Sequence, residues 1–113
     1  MDVTPIDDGF GRQVGDRSPM PGKPGSHVAY ARGADLVVEW YDFGEDAPYE
    51  SANLLIFDRP TQLRLAQAIG VDASLSPHML SNKVAARFDS YFDVRRYAEA
   101  NDLGFITEVN YQP

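Results

Sequence analysis

The chain has 113 residues, a formal charge of −7, 43% hydrophobic and 24% charged residues, and no cysteine. These values fit one globular domain, and the missing cysteines exclude disulfides, a thiolate nucleophile and a zinc site built on sulfur. The acidic balance argues against direct nucleic-acid binding and against anionic membranes, and it points to a basic protein partner.

No apolar run approaches the ~20 residues of a membrane span. The opening "MDVTPIDDGF" lacks the basic and apolar regions of a signal peptide. The expectation is a cytoplasmic protein without a membrane partner.

Residues 1–25 hold Pro5, Gly9, Gly11, Gly15, Pro19, Pro21, Gly22, Pro24 and Gly25 and show no apolar period. They read as a flexible arm, with 26–113 as a single α+β domain. "GFGRQVG" within the arm has the look of a phosphate loop. It follows no strand, opens no helix and lacks the Lys-Ser/Thr that grips phosphate.

"HVAYA" (27–31) predicts a short strand, and "RGAD" (32–35) a tight turn with Gly33 at positive φ. "LVVEWYDF" (36–43) predicts a second strand. Leu36, Val38 and Trp40 share one face; Val37, Glu39 and Tyr41 share the other. After the break "GEDAP", "YESANLLIF" (49–57) returns as a third strand. Leu55 and Phe57 lie on one face, Ala52, Leu54 and Ile56 on the other, and the apolar run at its end suits a central strand.

Asp58 then reads as a helix N-cap with Pro60 in the first turn and Gly70 as the stop. A second helix is predicted over "SPHMLSNKVAARFDSYF" from the Ser76 cap, with Leu80, Val84 and Phe88 on one stripe. A third is predicted from an Asp93 cap to Gly104, and "FITEVNY" (105–111) as a last strand. The order β-β-β-α-α-α-β predicts an α+β fold: an antiparallel or mixed four-stranded sheet with helices on one face.

The strongest candidate site is the acidic, aromatic hairpin "EWYDFGEDAPYE" (39–50). From Ala34 to Asp58 there are seven acids and no base, a window carrying the whole net charge of the chain. Pairing the two strands would gather Glu39, Asp42 and Glu50, with Glu45 and Asp46 at the tip. Trp40, Tyr41 and Tyr49 would be aromatic anchors for a partner. The expected function is a protein-interaction or regulatory module that engages a basic partner through this surface. An inhibitor whose acids mimic nucleic-acid phosphates is the sharper form.

Two alternatives compete. One is a small hydrolase or metal-dependent enzyme that uses the clustered carboxylates. The other is a homodimer that pairs a sheet edge and needs no ligand. An acidic hairpin that merely guards an edge strand would look the same in sequence. No cofactor motif is present, and the EF-hand spacing of acids is absent. "DFG" at 42–44 stands without any other kinase motif.

His78 sits in a helix first turn within reach of Ser76 or Ser81, but no nucleophile-elbow sequence surrounds them. Lys83 and Arg87, four apart, read as a solvated helix face or a small anion-binding face.

Overall fold

The computed structural model describes residues 6–7, 13–14, 16–45 and 49–112, with backbone alone at 6, 7, 13, 14 and 112. Two short strands, β1 (Ile6–Asp7) and β2 (Gln13–Val14), pair as an antiparallel ribbon. The main sheet holds β3 (Ser18–Met20), β4 (Ser26–Arg32), β5 (Asp35–Asp42), β6 (Glu50–Phe57) and β7 (Ile106–Gln112) in that order. Every neighbouring pair is antiparallel. Three helices intervene between β6 and β7: α1 (Arg59–Ile69), α2 (Pro77–Arg87) and α3 (Tyr91–Ala100).

The α+β class matches expectation, the order from β4 to β7 follows the expected β-β-β-α-α-α-β with three unexpected short strands before it, and the sheet is wholly antiparallel. It has five strands, however, where the sequence predicts four. The additional strand is Ser18–Met20, inside the 1–25 stretch. Three residues around a proline offer no alternation to detect, and Pro19 lacks a ladder N–H, which an edge strand tolerates. The neighbouring chain is tied down: Ser18 Oγ donates to Asn82 Oδ1 (2.5 Å), and the Gly22 N–H donates to the Asp89 carbonyl (2.7 Å).

Register explains how the sheet buries both faces. Ala29, Val38, Leu55 and Thr107 lie in one row; Val37 and Ile56 pair in the adjacent row. Ala29, Leu36, Val38, Leu55 and Phe57 face the helices and join Leu65, Leu80, Val84, Val94 and Ala98 in the main core. Tyr30, Val37, Ala52, Leu54 and Ile56 form a second cluster on the opposite face. Burial on both faces is why β6 reads as a nearly continuous apolar run.

The helix starts follow capping chemistry. Asp58 accepts from the Thr61 N–H (3.0 Å), and Ser76 from the Met79 N–H (3.2 Å). The α2–α3 boundary differs from expectation. The second helix stops at Arg87, Phe88 is extended, and α3 is capped by Ser90 rather than Asp93. The Ser90 hydroxyl accepts from the Asp93 N–H (3.1 Å). Asp93 instead occupies the first turn, where its charge suits the positive helix end. The third helix ends at Ala100, short of Gly104, with Asp102 left-handed at φ 53°. Replacing Ser90 with alanine is expected to cost about 1 kcal/mol, read as a lower denaturant midpoint.

Candidate functional site

Two-residue alternation divides the acidic hairpin between the two faces of the sheet. Glu39 and Tyr41 on β5, and Glu50 on β6, lie on the face away from the helices, with Tyr30 of β4 beside them. The acids there are paired with phenols. Tyr30 donates its hydroxyl to Glu39 Oε1 (2.8 Å), and Tyr41 donates to Glu50 Oε2 (2.5 Å). Phe43, just past the strand end, is 53% exposed and packs its ring 5.6 Å from that of Tyr41. Tyr49, across the hairpin, is 54% exposed.

A pocket of about 360 Å³ opens on this face. Val28, Ala52 and Leu54 give it apolar lining; Tyr30, Glu39, Tyr41 and Phe43 give it an acidic, aromatic side. Arg17 also lines it, with its guanidinium 4.9 Å from the Tyr30 ring centroid.

Trp40 does not join this surface. It points to the helix side, where its ring lies 4.8 Å from Phe92 and 6.1 Å from Tyr91, and its Nε1–H donates to the Pro24 carbonyl (2.9 Å). Asp42 alternates the same way as Trp40, and its Oδ1 accepts from the Gly44 N–H (3.0 Å), a turn-stabilising bond. Glu45 is exposed at the tip. Asp46 lies outside the described residues. The structure thus brings together Glu39, Tyr41 and Glu50 and separates Trp40 and Asp42 from them by one step of the pleat.

Sequence reasoning did not include Tyr30, Phe43 or Arg17 in the site. Tyr30 shares the face of Glu39 by register, which could have been found by pairing strands explicitly. The approach of Arg17 depends on β3 joining the sheet, and its short sequence gives no sign of that.

Burial pushes the Tyr30 hydroxyl far above its ordinary value, and the Glu39 charge and hydrogen bond push the same way. The Tyr41 hydroxyl is also raised, chiefly by its hydrogen bond to Glu50. Both phenols are therefore neutral donors at physiological pH. The raised Tyr30 value sets a sign for stability. Its contribution is fully present below the ordinary phenol value, near 10, and is lost as pH climbs beyond it. In an ultraviolet titration, one of the six tyrosines is expected to ionise only as the fold opens. Tyr30→Phe should remove that step. Tyrosine ionisation complete before any loss of circular dichroism would contradict the assignment.

The serine and arginine candidates are engaged locally, and His78 Nδ1 is buried without a hydrogen-bond partner among the described residues. The Ser81 hydroxyl donates to the His78 backbone carbonyl (2.6 Å), and Ser76 is engaged as a cap, so neither is poised on the His78 ring. The Arg87 guanidinium lies over Phe88 (5.0 Å) and Tyr97 (5.8 Å). Among the described residues, no three His, Asp or Glu side chains converge into a metal-binding group. No helix among them is long and apolar enough to cross a membrane. Compared with known proteins, the chain matches no family model, no curated protein and no solved structure.

Proposed function

We propose that this chain is an interaction module that takes a lysine- or arginine-bearing protein segment on the open face of the β5–β6 hairpin. The observation that carries this reading is the seated Arg17. Its guanidinium already rests against the Tyr30 ring in the pocket lined by Glu39 and Tyr41. Cation–π contact and a nearby carboxylate are the two attractions a guanidinium from another protein would use.

The electrostatics favour the same class of partner. Seven acids without a base between residues 34 and 58 steer a basic segment toward the hairpin. Phe43 and Tyr49 supply exposed aromatic area beside the charge, the kind of anchor that carries interface affinity. Trp40 has no part in this contact, because it faces the helices.

The test is a titration of the labelled protein with a short Arg/Lys peptide, followed by amide and side-chain NMR shifts. Shifts concentrated on Tyr30, Glu39, Tyr41, Phe43 and Tyr49 that fade with added salt support the reading. Shifts spread over all acidic residues, or absent, reject it.

A further inference from the structure

The two edges of the main sheet are built differently. Strand β3 is three residues long with Pro19 at its centre, and both shortness and proline are common ways of blunting an edge against further pairing. Strand β7 is seven residues long, "ITEVNYQ", with no proline and no lysine. Among the described residues no strand pairs with its outer side. It also carries the most exposed apolar side chains of the sheet: Ile106 at 65%, Val109 at 46% and Tyr111 at 69%.

A long edge with three exposed apolar side chains and neither proline nor lysine calls for a covering strand. We infer that the β7 edge is covered by β7 of a second copy of this chain, joining two five-stranded sheets antiparallel about a two-fold axis at Val109.

The sequence of β7 is self-complementary in that register. Val109 meets Val109 of the other copy, Thr107 meets Tyr111, Glu108 meets Asn110, and Ile106 meets Gln112. Thr107, Val109 and Tyr111 share a face, because their partners on β6 are Leu55, Asn53 and Ser51. Across the junction they form a continuous row of β-branched and aromatic cross-strand pairs, a favourable combination. Glu108 is the one charged residue of β7, and it is ion-paired with Arg32 at 3.5 Å. The register sets it against an amide rather than against its own copy, so no like charges oppose each other.

Edge pairing alone makes an interface at the small end of stable complexes, so the dimer forms with concentration. Each copy carries −7, so salt screens mutual repulsion and tightens the dimer. The sign is opposite to that of a basic partner on the hairpin, which separates the two interactions in one salt series.

The experiment is a mass measurement by sedimentation or light scattering from about 1 µM to about 1 mM, the range in which a small interface dissociates. The expected result is a rise from 12.5 kDa toward twice that value, steeper with salt, and abolished in Val109→Lys/Tyr111→Lys with unchanged circular dichroism. The absence of cysteine gives a second readout that does not depend on those variants. Paired Cα atoms across an antiparallel ladder lie about 4.5–5.5 Å apart, within disulfide reach. A lone Val109→Cys should therefore cross-link on mild oxidation, and a lone Pro19→Cys on the opposite edge should not. A monomer throughout the range overturns the inference and leaves the edge to a strand of some other protein. A dimer indifferent to the β7 changes, with no Val109→Cys cross-link, overturns it equally.

Discussion

Replacing Gly25 with alanine is expected to destabilise the fold by about 3 kcal/mol or more. Two costs combine. Gly25 has φ +77°, a left-handed conformation that costs a β-carbon-bearing residue roughly 1–2 kcal/mol. An added Cβ would also sit 2.2 Å from the Tyr41 carbonyl oxygen and 2.8 Å from the Trp40 Nε1. Backbone cannot retreat the way a flexible side chain can, so the strand or the connector must shift, at about 1–3 kcal/mol for an overpacked site.

The clash falls at a junction that holds several elements together. His27 is buried and accepts the Tyr91 N–H on Nδ1 (3.0 Å), so its proton sits on Nε2 and is donated to the Pro24 carbonyl (2.8 Å). The same carbonyl accepts from Trp40. Displacing Gly25 therefore disturbs the anchor between the β3–β4 connector, β5 and the start of α3. Trp40 is the single tryptophan of the chain, so urea unfolding followed by its fluorescence reports on this junction directly. Gly33→Ala is the control: its φ is +60°, but an added Cβ meets nothing within 4 Å. It should cost about 1 kcal/mol through backbone strain alone. Equal losses at the two glycines would show that the close approach at Gly25 has no energetic weight.

This junction also marks where sequence reasoning stops. The α+β class, the strand alternation, the tight turn at Gly33 and the caps at Asp58 and Ser76 were legible, because each depends on a local pattern of a few residues. The bonds of the junction run from Pro24 to His27 and Trp40, and from His27 to Tyr91 across sixty-four positions. No local period records such a contact. Proline and glycine, which suggest an unstructured arm by composition, here provide a carbonyl and a gap for other elements to fill.

The hairpin was legible in part for a similar reason. Its charge excess is countable from the sequence, and alternation alone separates Trp40 from Glu39 and Tyr41. Which of the two faces carries the helices depends on the whole sheet, so aromatic content could not distinguish a core tryptophan from a surface anchor. The α2–α3 break was missed because Ser90 and Asp93 both satisfy cap chemistry, and only backbone geometry chooses between them.

Neutralising two hairpin acids, Glu39→Gln with Glu50→Gln, is expected to weaken binding of an Arg/Lys peptide about tenfold at low salt, equivalent to roughly 1.4 kcal/mol. Glutamine keeps an oxygen to accept from Tyr30 and from Tyr41, so the phenol pairs and the strand register persist while the charge is lost. The matched control is Asp72→Asn with Glu99→Gln, which removes the same charge at an exposed loop and an exposed helix pair remote in sequence from the hairpin. It should change affinity far less, because neither side chain lines the pocket and salt screens charges that make no direct contact. Arg17→Ala should move affinity the other way, since it vacates the Tyr30 ring that an incoming guanidinium would use. Raising salt should bring the wild type and the neutralised variant together. If the neutralised variant and its control lose affinity equally, the peptide is responding to net charge alone, and the pocket does not select it. If Arg17→Ala weakens binding, Arg17 supports the site rather than occupying it, and the seat beside Tyr30 is structural.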